Sequence, residues 1–192
     1  TKLTSLEVSS ESLIFFPEFD PQIFHYAANC GDGNNININA QSTVANQISI
    51  NQSSYEDASK SIDLSGLNEE NDIHISVKNG KFSSNYIVHC IGSSYPEINI
   101  AYKDDALLDY GFILMSPRFK IEDETITYLL IIDSNGVPRF RKKLNLIATD
   151  FKVHDNGYYS YIERTTRNEF NHWDNDIVIL DTEFDEITRL NT

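Results

Sequence analysis

The residue types that could carry out chemistry are most concentrated in the segment TDFKVHDNGYYSYIE, which spans residues 149–163. His154 lies there with Asp150 and Asp155, and aromatic residues follow. A histidine close to a carboxylate is the combination that a nucleophile or a general base requires. A histidine beside an Asp-Asn-Gly turn is also commonly a surface hydrogen-bonding group, and an aspartate at the start of a strand commonly fixes a sheet corner. Asp150 and His154 therefore have a functional and a structural interpretation.

Metal and cofactor sites are not predicted by the other motifs. No two histidines or cysteines have the spacing of zinc ligands, and the sequence contains neither a Gly-x-Ser-x-Gly elbow nor a phosphate-binding loop. The acidic segments GDGNN, from Gly31, and WDND, from Trp173, could offer oxygen ligands to calcium, but neither matches an EF-hand loop. The other histidines alternate with apolar residues or lie in a polar run: His25, His74, His89 and His172. We predict no metal and no cofactor.

Two clusters of side chains have a structural interpretation, and the first of them could also bind a ligand. One set of aromatic residues could stack on a sugar or a phenol, although aromatic residues in strands usually pack in a core; it comprises Tyr158, Tyr159, Tyr161 and Trp173. A dense positive cluster lies on a predicted outer strand, where such charges prevent edge-to-edge association; it comprises Arg139, Arg141, Lys142 and Lys143.

The overall charge and the length of the apolar runs exclude some classes of partner. The 192 residues include 29 acidic and 15 basic side chains, and the resulting net charge of −14 disfavours binding to nucleic acid or to an anionic membrane. The longest apolar runs are strand-sized, far short of the roughly 20 residues that span a bilayer, so no transmembrane segment is predicted. Because Thr1 follows no methionine or targeting segment, we expect a processed product that is exported, either periplasmic, at the cell surface or extracellular.

The two cysteines, Cys30 and Cys90, end two predicted strands. In an oxidising compartment they could form one disulfide, and as two buried free thiols they would simply pack in a core. Both alternatives stay open.

Residues 1–92 are predicted to form an all-β domain. Apolar residues alternate with polar ones along short segments, as expected for antiparallel strands with one wet face: Leu6 and Val8, Ile36 to Ala40, Ile48 and Ile50, Ile73 to Val77, and Tyr86 to Cys90. Asn79-Gly80 predicts a type I′ hairpin turn between the last two segments. Several short strands without helical periodicity favour a β-sandwich, and GSSYP, residues 92–96, is the predicted linker.

Residues 93–192 contain a repeated pattern. Gly111 and Gly157 open equivalent strands 46 residues apart, and Asp133 and Asp181 end equivalent aliphatic strands 48 residues apart. This spacing is typical of a four-stranded propeller blade. The expected fold is therefore all-β, a β-sandwich followed by an incomplete β-propeller of about two four-stranded blades. Two blades alone leave sheet edges and an apolar face uncovered, so we expect the chain to be a fragment.

Several motifs resemble the first propeller blades of the bacterial arylsulfotransferase family: YPEINI, GFILMSP, YLLIIDSNGVPRFRKKL, TDFKVHDNG and DIVILDTEFDEITRL. LTSLEVSSESL, FPEFDPQIFHY and NYIVHC resemble a cadherin-like β-sandwich. The first resemblance implies the N-terminal portion of an exported enzyme that transfers a sulfuryl group between phenols through a transiently sulfated histidine, without a sulfonucleotide. The implied ligands are an aryl sulfate and a phenol, and the implied partners are the remaining blades or a larger surface assembly.

The chain departs from the family at the position of its blade histidine. The recurring family phrase is His-Asp-Phe followed by Asn-Gly, whereas this chain has Thr149-Asp150-Phe151, and His154 lies farther along. The resemblance therefore implies no catalytic residue in this chain, only Asp150 and His154 as candidate axis-facing binding residues, and the isolated chain is predicted to be inactive. The competing interpretation is a cell-surface adhesion or glycan-binding protein, in which the propeller is a scaffold and no sulfated intermediate forms.

Overall fold

The structure is a computed structural model that describes residues 1–9, 14–30, 33, 35–101, 111–121, 123–167 and 173–191, without the side chains of residues 165–167 and 173. Its described residues form β-strands and no α-helix, which confirms the all-β class. Within these ranges no helix has the length and apolar character needed to cross a bilayer. The chain divides into two compact units, which are Thr1–Tyr95 with Asn135–Val137, and Pro96–Ser134 with Pro138–Thr192.

Unit 1 contains the first nine described strands, arranged in two sheets. They are β1 (Leu3–Ser9), β2 (Phe15–Phe16), β3 (His25–Ala28), β4 (Ile36–Ser42), β5 (Gln47–Ile50), β6 (Glu56–Asp57), β7 (Ser59–Leu64), β8 (Asp72–Asn79) and β9 (Phe82–Cys90). One sheet has the order β1-β4-β7, and the other has the order β2-β3-β9-β8-β5-β6. All pairs are antiparallel except β3 with β9, which is parallel.

The apolar alternation of the sequence places the core of unit 1. Successive side chains of a strand point to opposite faces, so residues of one parity meet between the two sheets. The predicted apolar positions from Leu6 to Cys90 are all buried in one cluster, which confirms that prediction. Tyr26 and Tyr86 are also fully buried in the cluster, and their hydroxyl groups bond to backbone atoms, which satisfies two polar groups inside the core.

The β8–β9 hairpin is present, but its turn lies one residue beyond the predicted position. Asn79 pairs with Phe82, so the two-residue loop is Gly80-Lys81 rather than Asn79-Gly80. Gly80 has a φ of 57°. Positive φ at the first loop position alone is the requirement of a type II′ turn, whereas a type I′ turn requires it at both. The predicted type I′ turn was therefore wrong, because the glycine opens the loop instead of closing it.

Cys30 and Cys90 form a disulfide bond in unit 1. Cys30 follows β3 and Cys90 ends β9, and the parallel pairing of these strands brings the two residues together at one end of the sheet. Both side chains are fully buried.

Unit 2 contains the remaining eight described strands. They are β10 (Ile113–Met115), β11 (Arg118–Ile121), β12 (Glu124–Ile132), β13 (Pro138–Leu144), β14 (Ile147–Val153), β15 (Tyr159–Arg167), β16 (Trp173–Leu180) and β17 (Glu186–Asn191). The first sheet has β12 at its centre, with β10 and β11 paired along one side and β13 along the other. The second sheet is an antiparallel meander with the order β14-β15-β16-β17. None of these sheets closes on itself in the described part of the chain.

The two sheets of unit 2 share one core. Leu129 and Ile131 from β12 pack with Phe151, Val178 and Leu180 of the second sheet. Thr127, also on β12, donates a hydrogen bond from Oγ1 to the carbonyl oxygen of Leu146 (2.8 Å) and accepts one from the N–H of Ala148 (3.2 Å). β12 is thus tied to the start of β14 by both apolar and polar contacts.

The repeat predicted from the sequence corresponds to strands in both sheets. Gly111 precedes β10 and Gly157 precedes β15, while Asp133 and Asp181 directly follow β12 and β16. The second sheet has four strands side by side, whereas the first has only three strand positions among the described residues, because β10 and β11 share one side of β12.

We expect reduction of the Cys30–Cys90 disulfide to lower the free energy of unfolding of unit 1 by about 4 kcal/mol, since the bridge closes a long loop in the unfolded chain. The separation between the two cysteines is 60 residues. Hydrogen exchange of the β3 and β9 peptides, with and without reductant, measures the effect, and faster exchange is expected after reduction. The variant with both Cys30→Ala and Cys90→Ala is the control, because reductant has no target in it. Equal exchange rates in the oxidised and reduced wild-type protein would contradict the expected contribution.

Candidate functional site

The turn that contains His154 joins β14 to β15. The N–H of His154 donates to the carbonyl oxygen of Tyr158 (2.8 Å), and the N–H of Gly157 donates to the carbonyl oxygen of His154 (2.8 Å). Gly157 has a φ of 82°, which glycine adopts without steric cost. A tight turn followed by a left-handed residue is a common closure of a three-residue hairpin loop. His154 is therefore the first residue of a hairpin closure.

The same closure recurs at the end of the repeated strands. Asp181 has the matching pair of backbone hydrogen bonds with Asp185 and Phe184, and Phe184 has a φ of 68°. Gly136 stands at the same distance after Asp133 and has a φ of 76°. Position 154 in the β14–β15 hairpin thus corresponds to positions 133 and 181, where the chain has aspartate. The carboxylate explains why aspartate suits this position, because Oδ1 of Asp181 accepts hydrogen bonds from the N–H groups of Glu183 (2.8 Å) and Asp185 (3.0 Å).

The imidazole of His154 is exposed and has one described polar partner. Its Nε2 lies 2.8 Å from Oγ of Ser160, a residue that is only 3% exposed. No carboxylate hydrogen-bonds to the ring among the described residues. A general base or histidine nucleophile normally needs such a group to orient and stabilise the ring. The observed contacts fit the structural interpretation better.

Asp150 lies in a β-bulge of β14. The pairing of β14 with β15 shifts between Thr149 and Lys152, and Asp150 there has a φ of 57°, a left-handed conformation that aspartate tolerates better than most residues. Its Oδ2 accepts a hydrogen bond from Nζ of Lys152 (2.6 Å), and both side chains are about half exposed. The expected hydrogen bonds to backbone or hydroxyl groups at a sheet corner are therefore replaced by a surface ion pair. Asp150 and His154 have separate partners.

An open depression lies beside the hairpin turn, with a volume of about 490 Å³. Its described lining residues are His154, Asp155, Asn156, Tyr158 and Ile179. Oδ1 of Asn156 accepts the N–H of Tyr158 (3.1 Å), which fixes the carboxamide beside the depression. Asp150 does not line it, so the two predicted binding residues do not form one site.

The predicted aromatic surface is mostly core. Tyr161 is 3% exposed, and Tyr159 packs on Phe184 and Phe151 with ring centroids 4.6 and 5.9 Å apart. Among the three tyrosines, whose side chains are described, only Tyr158, which is 39% exposed, is available for stacking. The side chain of Trp173 lies outside the described residues. For Tyr159 and Tyr161 the packing interpretation therefore applies, because strand alternation directs both side chains into the space between the sheets.

A charged cluster that sequence reasoning missed surrounds Arg189 on β17. Its guanidinium contacts carboxylate oxygens of Glu163 (2.9 Å), Glu186 (3.1 Å) and Asp176 (3.3 Å). The hydrogen bond to Glu186, together with those to the other two carboxylates, raises the pKa of Arg189. Burial and the nearby charge of Glu163 raise the pKa of Tyr161 to about 12. Arg189 offsets part of the negative charge of carboxylates on three neighbouring strands, and only the strand register reveals this cluster.

A second missed arrangement lies on the large sheet of unit 1. Oδ1 of Asp72 lies 2.9 Å from Nδ1 of His89, and Nε2 of His89 lies 3.1 Å from Nδ1 of His25. His89 is 4% exposed. A carboxylate that accepts a hydrogen bond from Nδ1–H fixes the tautomer of a neutral imidazole, which leaves Nε2 as an acceptor. In this tautomer His89 accepts a hydrogen bond from His25, and the three side chains are joined by two consecutive hydrogen bonds. The register places Asp72 directly opposite His89, which no sequence spacing shows.

The other candidates from the sequence do not converge on a site. No group of three or more histidine, cysteine, aspartate or glutamate side chains is placed to hold a metal ion in the part of the chain that the structure describes. His172 and three residues of the GDGNN segment lie outside it. The positive cluster lies on β13, which pairs only with β12 among the described strands, as expected for charges that protect a sheet edge.

We expect the substitution His154→Asp to leave the free energy of unfolding unchanged to within about 0.5 kcal/mol, because aspartate occupies this position in the two equivalent turns. Gly157→Ala is the matched control, and it is expected to cost about 1 kcal/mol because of the positive φ at position 157. Its Cβ would meet Thr182 at 3.5 Å, so no clash adds to the cost. Urea denaturation followed by the fluorescence of the single tryptophan measures both. A larger loss for His154→Asp than for Gly157→Ala would show that the imidazole itself is required.

Alkaline pH is expected to destabilise unit 2 through Tyr161. Its pKa is about 12 in the folded chain against 10.0 as the ordinary value. Between these values the unfolded chain loses a proton that the folded chain keeps, so the free energy of unfolding falls as the pH rises, by roughly 1.4 kcal/mol per pKa unit. Below the ordinary value the contribution is constant. Tyr161→Phe should flatten this fall in urea denaturation followed by tryptophan fluorescence. An equally steep fall in the Tyr161→Phe variant would assign the alkaline destabilisation to other groups.

No protein-family model, curated protein sequence or solved structure matches this chain. The resemblance to arylsulfotransferases therefore stays a prediction from the sequence motifs.

Proposed function

We propose that this chain is the N-terminal portion of an exported, arylsulfotransferase-like protein, in which it serves as scaffold and carries no catalytic group. Unit 1 is interpreted as a cadherin-like β-sandwich, and unit 2 as the first two blades of a β-propeller. The sulfuryl transfer from an aryl sulfate to a phenol belongs to blades that carry the family's histidine and arginine groups.

The arrangement of the sheets supports the two fold assignments. In unit 1 two sheets enclose a single apolar cluster, as the sheets of a sandwich do. In unit 2 the second sheet is a four-stranded antiparallel meander, which is the form of a propeller blade, and it packs face to face with a similar sheet.

The single observation that carries the scaffold role is the position of His154. It occupies the hairpin position at which the equivalent turns have Asp133 and Asp181. Its ring bonds to Ser160, and no carboxylate of the described residues orients it. Thr149, which stands at the family's histidine position, lies on β14, the first strand of the second sheet. A threonine hydroxyl lacks the basicity by which an imidazole accepts a sulfuryl group near neutral pH.

The role of this chain in the reaction would be indirect. A histidine nucleophile needs a rigid support and nearby cations that stabilise the sulfuryl oxygens in the transition state. The second sheet offers such support, because Val178 and Leu180 at its centre are fully buried. Two of its positive charges form ion pairs: Arg189 contacts three carboxylates, and Lys152 contacts Asp150.

Sulfuryl transfer is tested with p-nitrophenyl sulfate as donor and phenol as acceptor. The 192-residue chain is expected to release no p-nitrophenol above the buffer rate, whereas the product of the whole reading frame is expected to release it with phenol present. Release by the 192-residue chain that is lost in His154→Ala would place the chemistry in this chain and overturn the scaffold role.

One observation favours the competing function, a cell-surface adhesion or glycan-binding protein. Tyr158 is exposed beside Asp155 and Asn156, and an aromatic ring next to polar side chains suits a sugar. In this case neither the chain nor the whole product transfers sulfate, and binding to a glycan array falls on Tyr158→Ala. Transfer by the whole product, without glycan binding that depends on Tyr158, would exclude this function.

A further inference from the structure

The second sheet of unit 2 has two different faces. Alternate residues of β15 and β16, including Tyr161, Val178 and Leu180, point into the shared core. The intervening residues point to the opposite face, where Ile162, Ile177 and Leu190 are directly paired in one row across three strands. We name this opposite face, consisting of Tyr158, Ile162, Ile177, Ile179 and Leu190, the outer apolar face.

The outer apolar face is incompletely covered. Leu190 is 50% exposed and Tyr158 is 39% exposed, while the three isoleucines are only partly buried. The depression beside the hairpin turn ends on this face, at Ile179. Neighbouring apolar side chains on adjacent strands that stay accessible to water are typical of a surface that binds another protein segment.

The internal repeat shows what kind of segment fits this face. The register that aligns Asp133 with Asp181 also aligns Leu129 with Ile177 and Ile131 with Ile179. Leu129 and Ile131 are the residues through which the first sheet packs on the second sheet. The second sheet therefore presents on its outer apolar face the aliphatic residues that the first sheet uses for packing.

The packing between the two sheets is head to tail. The first sheet contributes Leu129 and Ile131, whereas the second contributes Val178 and Leu180, which are the residues next to the equivalent positions. The two surfaces in contact are thus different, and such a contact can be repeated indefinitely by further copies. A symmetric dimer would instead bring two identical surfaces together.

We propose that the outer apolar face docks a further β-sheet of the same repeat, contributed by the same polypeptide, with Ile177 and Ile179 in the positions that Leu129 and Ile131 have in the described interface. This proposal rests on the propeller assignment under "Proposed function". The docked sheet must have a face of aromatic and aliphatic side chains at the positions equivalent to Phe151, Val178 and Leu180.

Hydroxyl-radical footprinting read by mass spectrometry tests the docking. The 192-residue chain is compared with the product of the whole reading frame at Tyr158 and Leu190. Because the centre of such an interface excludes water, oxidation of both residues is expected to fall about tenfold in the whole product. Val44, which is 88% exposed in unit 1, is the control and should be oxidised equally in both.

A double variant, Ile177→Lys with Ile179→Lys, separates docking from a general change in the chain. In the 192-residue chain both side chains can reach water, so oxidation at Val44 and the circular dichroism spectrum should stay unchanged. In the whole product the two ammonium groups would have to be buried without partners, so protection of Tyr158 and Leu190 should be lost. Val44→Lys is the matched control and should keep the protection.

The outcomes distinguish this proposal from the proposed function. Equal oxidation of Leu190 in both proteins, or a reading frame that supplies no further residues, overturns the docking. Protection of Leu190 that appears in the 192-residue chain and increases with its concentration assigns the face to self-association and also overturns it. Protection in a whole product that transfers no sulfate supports the docking and removes the enzymatic function.

Discussion

Unit 2 depends on the apolar contact between β12 and the second sheet. Leu129 and Ile131 are buried against that sheet, and burial of aliphatic side chains of this size contributes about 1.5–3 kcal/mol each. The hydrogen bonds of Thr127 to the start of β14 fix the register of the contact. Without this contact both sheets would expose apolar faces to water, and no apolar packing would hold them together.

The turns that end the repeated strands are fixed by backbone conformation and by side-chain contacts. Each described hairpin closure of the repeat ends in a residue with positive φ, which is glycine twice and Phe184 once. Phe184 keeps this unfavourable conformation because its ring stacks on Phe140, with centroids 3.8 Å apart. Asp181 supports the same turn through its carboxylate, whereas the described hydrogen bond of the His154 ring, at the equivalent position, goes to Ser160. His154, which has a possible catalytic role in the sequence, is therefore part of a repeated hairpin turn.

The sequence predicted some features well because they depend on local periodicity. Alternation of apolar residues identified the buried face of β4, β5, β8 and β9, and the paired positions of Gly111 and Gly157 identified the repeat. Prediction from the sequence failed where the structure depends on the exact position of a single residue. The β8–β9 turn moved by one residue, because Gly80 is compatible with two types of hairpin turn. Asp150 and His154 were grouped by proximity in the chain, but Asp150 pairs with Lys152 at the bulge in β14, whereas His154 bonds to Ser160.

The amino-acid sequence by itself determined the all-β class, the periodic burial and the repeat. The class and the burial follow from residues that are neighbours along a strand, and the repeat follows from a fixed spacing along the sequence. Only the tertiary structure decided which distant side chains meet. The carboxylates around Arg189 come from three strands, and the chain from Asp72 through His89 to His25 joins residues far apart in sequence. The physical reason is that strand pairing and sheet packing set these distances, and both depend on register and on the faces that are buried together. The disulfide between Cys30 and Cys90 follows the same rule, because two strand ends meet only once β3 and β9 are paired.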